Sequence, residues 1–266
     1  MDEAVPSLTL QAIGLSAVFV TCFRRGMRDF RTTMHYHLPV RTSDSSFSWH
    51  HVGLWVEQEE RVAEKRIHLH KGDLPAGLAF PQGVAVDSET LGLKVHRDRL
   101  CLVQLSAGDG EAHLVQMDRA IEPVRLKSLL SDSNTLKIFH FARFDVAALR
   151  AHLGVDTRPL YCTKIASRLV RTYTDRHGLK DLCAELLGVE LSKQQQSSDW
   201  GAAELSEAQL AYAAADVLYL HRIKDRLDAM LTREGRTDLA AACFGFLPVR
   251  ARLDLAGFED MDIFEH

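Results

Sequence analysis

Three short apolar runs follow one another in the middle of the chain: "GVAVD" at 83–87, "LCLVQLS" at 100–106 and "AHLVQM" at 112–117. Each is too short for a core helix and is bounded by Gly/Asp turn residues, which is the signature of a buried strand. The short turns favour an antiparallel meander. A short helix around "VRLKSLL" leads to a fourth strand, "LKIFH" at 136–140, then to a helix "FDVAALRAHLG" closed by Gly154 and a brief strand "LYCT" at 160–163. Strand, helix, strand implies a parallel crossover, so the expected fold is α/β, a mixed sheet of an antiparallel meander plus parallel strands flanked by helices. Helices are expected at "KIASRLVRTY", at "GLKDLCAELLG" closed by Gly188, and over one long stretch after the N-cap Ser206, "LSEAQLAYAAADVLYLHRIKDRLDAML". The ending "FLPVRARLDLAGFEDMDIFEH" reads as a mixed tail whose apolar residues need a surface to dock on, such as a neighbouring subunit.

Residues 1–66 differ in texture. "TTMHYHLPVRTSDSSFSWHHVGLWVEQEERVAEKR" sustains no period of 2 or 3.6, and the region is expected to be an extension, weakly ordered or a misplaced translation start, ahead of a domain at 67–266. There is no internal repeat. With 32 Lys plus Arg against 36 Asp plus Glu, the formal charge is -4, so any nucleic-acid site must be a local patch. Five scattered cysteines without a CxxC pair argue against a disulfide framework or a cysteine zinc site, which makes the cytoplasm the expected location. The apolar run "LQAIGLSAVFVTCF" is too short to span a bilayer and is preceded by acids, so neither a membrane partner nor an export signal is expected.

The meander's first strand ends in a pair of carboxylates. Side chains alternate along a strand, so Asp87 and Glu89 share a face while Ser88 points the other way. Two such acids repel unless a cation joins them, and hard oxygen donors suit Mg²⁺ or Mn²⁺. The spacing alone leaves a surface role open, because acid-x-acid also occurs at Glu57/Glu59, Asp109/Glu111 and Asp260/Asp262. Asp145 follows the fourth strand near a helix start, where complementing the helix dipole is the alternative. Tyr212 and Asp216, four residues apart, fall on one helix face; of the five tyrosines only Tyr212 has an acid at that offset.

The order of these elements resembles the RNase D-like branch of the DEDD exonucleases, the subgroup with Tyr in its last motif. The resemblance rests on "VDSETLGL", "IFHFARFD", "SKQQQSSDW" and "YAAADVLYL" and runs from Ile67 to the C-terminus. It implies an RNase H-like or DnaQ-like exonuclease fold and two divalent metal ions, Mg²⁺ or Mn²⁺, held by Asp87, Glu89, Asp145 and Asp216. Asp87 would bridge both ions, Glu89 and Asp216 would serve the ion carrying the attacking water, Asp145 the second, and Tyr212 would orient that water. "TLGLKVHRDRLCLVQLSAGDG", "CTKIASRLVRTYTDRHGLK" and the C-terminal ending are similar to the nano-RNase C group, which degrades very short RNAs to mononucleotides. Phe141 departs from the Asn that proofreading domains of DNA polymerases often carry there.

That resemblance implies hydrolysis from the 3′ end, a short RNA or DNA substrate and a homo-oligomer, octameric in known members. Leu93 matches a position where the group places an apolar wedge between bases. Lys164, Arg168 and Arg171 at i, i+4 and i+7 would form a basic stripe on a helix, gripping phosphate or simply facing solvent. His140 precedes the Asp145 helix and could touch a sugar or phosphate; Gln196, with Lys193 and Trp200, lies in the loop before the Tyr212 helix. The alternatives are an RNase D-like exonuclease on longer RNA or DNA, and a catalytically silent nucleic-acid-binding module.

Overall fold

The computed structural model describes residues 33–41, 47–55, 66–192 and 198–265, in two units, Met1–Val62 and Ala63–His266. In the first unit, strands β1 (Thr33–Arg41) and β2 (Phe47–Trp55) pair antiparallel, Thr33 opposite Trp55 and Arg41 opposite Phe47. No element was expected here. Met34, Tyr36, Leu38 and Val40 do alternate, but His50 and His51 interrupt the pattern in the second strand.

The second unit is built on a six-stranded mixed sheet: β3 (Arg66–Lys71), β4 (Val84–Thr90), β5 (Leu100–Ser106), β6 (Glu111–Gln116), β7 (Lys137–Phe139) and β8 (Leu160–Cys162), in the spatial order β3-β6-β5-β4-β7-β8. The β4–β5 and β5–β6 pairs form the antiparallel meander, whereas β3–β6, β4–β7 and β7–β8 are parallel. Every residue of β5 is buried, so helices cover both its faces. Helix α1 (Val124–Ser131) precedes β7; α2 (Ala142–Leu153) packs on β4 and β5 and ends at Gly154, whose φ of 69° is the left-handed C-cap that favours glycine. Edge strand β3 was not expected, because half-exposed "RIHLHK" mixes apolar residues with cations and histidines.

Two helical expectations are corrected. Helix α3 spans Thr163–Val170 and stops at Arg171 (φ −101°, ψ 57°) instead of running on through Tyr173. The expected long helix is two: α5 (Glu207–Leu218), started by a capping box between Ser206 and Gln209, and α6 (Leu220–Arg233), with a break at Tyr219. The break lets α5 lie on β4, β5 and β6 while α6 packs against α3 and β7. Between α3 and α5, the short α4 (Leu179–Leu182) continues as one π-helical turn to Leu187.

The C-terminal ending is more ordered than a mixed tail. It begins inside α7 (Thr237–Leu253), which accommodates Pro248, and continues as a π-turn over Asp254–Phe258. Backbone and polar contacts tie the ending to its own chain, Arg143 on α2 binding Asp254 through Nε at 2.7 Å and donating to the Glu259 carbonyl and Arg250 holding the Met261 carbonyl, while the apolar side chains of Phe258, Met261, Ile263 and Phe264 stay exposed. Among the described residues no helix is long and apolar enough to cross a membrane.

Candidate active site

Strand β4 presents Asp87 and Glu89 on one face, and α5 crosses that face carrying Asp216 one turn after Tyr212. One carboxylate oxygen from each of Asp87, Glu89 and Asp216 lies within 4.8 Å of the others. A register shift at Glu89/Thr90 marks the end of regular β4–β5 pairing beside the cluster.

Asp145 arrives by a different route. Parallel pairing of β4 with β7 places the start of α2 beside β4, and the buried Asp145 carboxylate accepts a 2.6 Å hydrogen bond from Ser88 Oγ. Ser88, on the opposite side of β4 from its acidic neighbours, therefore anchors the fourth acid. The chain enters α2 through Phe141 at φ 66°, ψ 46°, a left-handed conformation uncommon for a residue with a Cβ. Its exposed ring lies 4.0 Å beneath the Lys164 ammonium.

Burial is the main cause that raises all four acids: Asp87 well above the usual carboxylate range, Glu89 to about 8, Asp145 to about 7 and Asp216 to about 7. Repulsion from neighbouring acids adds to the rise for Asp87, Glu89 and Asp216. Burial followed by the charges of Asp216, Glu89 and Asp87 also raises Tyr212, so its hydroxyl stays protonated at neutral pH and can donate a hydrogen bond. A buried all-carboxylate donor set is what hard divalent cations such as Mg²⁺ and Mn²⁺ select, and their charge removes the cause of the raised pKa values. The residues fit such ions.

The other expected contact residues are spread more widely. Leu93 is 84% exposed on the β4–β5 loop, an apolar side chain pointing nowhere into the core. The loop is held by Asp98, which accepts from the Lys94 backbone N–H at 2.9 Å and leaves no room for a Cβ at Gly92, where one would sit 2.5 Å from Asp98 Oδ2. His140 contacts Thr163 Oγ1 at 2.9 Å, and burial followed by the nearby Lys164 charge pushes it down to about 3, so the imidazole is neutral. Lys164 and Arg168 lie one turn apart on α3, Arg168 exposed.

Arg171 leaves the stripe. Because α3 ends there, the side chain turns inward and is 0% exposed; Nε donates to Glu185 at 3.1 Å, Nη1 to Ser167 Oγ at 3.0 Å and to the Arg176 carbonyl at 2.7 Å, and Nη2 to Glu185. Gln196 and Lys193 lie outside the described residues. Trp200 is core, its ring 6.1 Å from that of Tyr212. Sequence reasoning missed Gln104, which stands opposite Asp87 in the β4–β5 register, fully buried, with neither amide atom hydrogen-bonded. A lone polar residue inside "LCLVQLS" was the available signal.

A sequence profile described as 3′-5′ exonuclease matches residues 65–232. The chain belongs to the 3′-5′ exonuclease family. Among curated members, ribonuclease D of Acidiphilium cryptum is 35% identical over 164 residues, which are 62% of this chain and 42% of that protein. This exonuclease-family chain thus matches about two-fifths of that relative's length. Solved structures of Brucella melitensis NrnC are similar over nearly their whole length: the form bound to pGG superposes with a TM-score of 0.73 at 55% identity, covering 76% of this chain and 100% of that one. The form with bound Mg²⁺ gives a TM-score of 0.71 at 55% identity over 76% of this chain and 99% of that one. The expected mixed-sheet exonuclease fold is the one observed.

Proposed function

We propose that the chain is a metal-dependent 3′-5′ exoribonuclease that hydrolyses short oligoribonucleotides, dinucleotides above all, to nucleoside 5′-monophosphates at the last step of RNA degradation. The observation that carries this reading is the convergence of Asp87, Glu89 and Asp216 within 4.8 Å on a face shared with Tyr212. The likeness to an NrnC with bound pGG supports a short substrate, and the likeness to an NrnC with bound Mg²⁺ supports the cofactor. Asp87, Glu89, Asp145 and Asp216 would hold two ions, Mg²⁺ or Mn²⁺. When bound, such ions lower the pKa of a water and stabilise the leaving oxygen of a phosphodiester.

The chain's own residues do the rest. Tyr212 Oη, held protonated, orients the attacking water by hydrogen bonding, and Ser88 fixes Asp145. The exposed Leu93 enters between two bases, and Lys164 and Arg168 meet phosphate. A dinucleotide carries few phosphates, so end-capping and stacking replace a long basic groove, in keeping with a formal charge of -4. Tyr212→Phe is expected to lower kcat about tenfold to a hundredfold with little change in KM, since only the water's alignment is lost; an unchanged kcat would remove Tyr212 from the mechanism.

The same reading includes a cytoplasmic homo-oligomer, octameric by family likeness, with residues 1–66 as an extension to a domain at 67–266. Its test is a timed digestion of labelled RNAs from two to twenty nucleotides with Mg²⁺ or Mn²⁺. The dinucleotide is cleaved fastest, and Leu93→Ala narrows the gap between two and twenty nucleotides. Faster turnover of the long RNA identifies an RNase D-like processing enzyme instead, and binding without hydrolysis in Mn²⁺ identifies a silent module.

A further inference from the structure

Strands β3 and β6 carry a cluster of three histidine side chains. His68 and His70 alternate onto one face of β3, and the parallel register sets His68 opposite His113 on β6. Asp87 lies opposite Gln104, and Gln104 opposite Leu114, so those three share a face and His113 lies on the other. The histidines are therefore separated from the carboxylate cluster by the sheet itself.

The three rings form a ladder. Centroids of His68 and His113 are 4.9 Å apart, those of His70 and His113 5.4 Å, and those of His68 and His70 6.4 Å, all within 17° of parallel. His70 Nε2 and His113 Nδ1 are 3.1 Å apart. His68 Nε2 contacts Glu111 Oε2 at 3.1 Å, and Arg66 holds the other Glu111 oxygen at 3.1 Å.

We infer that His68, His70 and His113 form a binding site for a divalent transition-metal ion of the Zn²⁺ class. Two imidazole nitrogens on one tetrahedral ion are roughly 3.3 Å apart given Zn–N bonds of about 2.0–2.1 Å, so His70 and His113 already have the spacing of a ligand pair. The ion takes the place of the proton they share. His68, on the half-exposed edge strand, completes the set by rotation about its side-chain bonds, and Glu111 then accepts from its second ring nitrogen, the carboxylate–histidine–metal arrangement that orients ligands. Two histidines at i and i+2 on one strand with a third from its neighbour leave the fourth position to water, as in three-histidine zinc sites. Nitrogen donors select a softer ion than the hard oxygen cluster across the sheet, so the two sites sort their metals. A bound ion clips edge strand β3 to β6.

Cobalt reports on this site, because tetrahedral nitrogen coordination gives intense visible bands and carboxylate coordination gives weak ones. Titrating the full chain at neutral pH with Co²⁺ is expected to produce those bands at one ion per chain, and Zn²⁺ to abolish them. The bands persist in Asp216→Asn and disappear in His70→Ala and in His113→Gln, with Zn²⁺ affinity weakened at least tenfold in each. Circular dichroism and Mg²⁺-dependent hydrolysis stay at wild-type levels in His70→Ala, whose side chain is partly exposed and keeps the fold intact. Weak bands only, or bands that survive in His70→Ala, overturn the site.

Discussion

Asp216→Asn is expected to cut hydrolysis of a dinucleotide by at least about a hundredfold, since it removes one of the carboxylates that gather on a single point, and at the same time to stabilise the metal-free protein at pH 8. The second effect follows from linkage. In the unfolded chain these acids titrate near 4, whereas in the folded, metal-free protein Glu89 sits at about 8 and Asp145 and Asp216 at about 7. Between those values the folded state holds protons that the unfolded state has released, so stability is full below about pH 4 and is lost as pH rises through 7–8. The neutral amide of the Asp216→Asn variant contributes nothing to that loss and removes one repelling charge from Glu89 and Asp87. Differential scanning calorimetry in EDTA should show the wild-type Tm falling from pH 5 to pH 8 and the variant falling less, while added Mg²⁺ raises the wild-type Tm more at pH 8 than at pH 6. Equal pH dependence in the two proteins, or hydrolysis at the wild-type rate, would contradict the shared site.

Arg171→Ala separates structure from substrate contact. If Arg171 gripped phosphate, its loss would raise KM and leave stability alone. The structure demands the reverse: the side chain is 0% exposed, and its removal leaves a void and strips Ser167 Oγ and the Arg176 carbonyl of a donor. The expected cost is roughly 2–4 kcal/mol in urea denaturation, the lower part of the range because Glu185 is itself 43% exposed and regains water. The kcat/KM of the folded fraction stays within about twofold of wild type; a large KM increase without destabilisation would restore Arg171 to the substrate stripe.

These two residues also mark how far reading the chain could go. The meander strands β4 to β6, the crossover through α2 and the faces of Asp87, Glu89 and Asp216 follow from local periodicity, because the side-chain direction in a strand or helix is set by the backbone of that element. Edge strand β3 escaped because "RIHLHK" is only half covered and needs no apolar alternation. The break at Tyr219 escaped because "LSEAQLAYAAADVLYLHRIKDRLDAML" is made of good helix formers throughout; the interruption comes from α5 and α6 packing on different partners. Ser88 was assigned the correct side of β4, but that the side faced Asp145 depended on β7 lying beside β4.

Sequence alone thus determined the elements that carry the acids, which faces Asp87, Glu89 and Asp216 occupy, and, through the order of the motifs, the exonuclease family. Only the tertiary structure decided the burial of charge. Arg171 lies inside because α3 ends at Val170, three residues short of Tyr173, and Glu185, fourteen residues on, is there to receive it. Gln104 lies unpartnered beside Asp87, and three histidines line up across β3 and β6, because strand register places them there. Local preferences act over a few residues, whereas the environment of a charged or polar group is set by neighbours that meet only when the sheet is assembled.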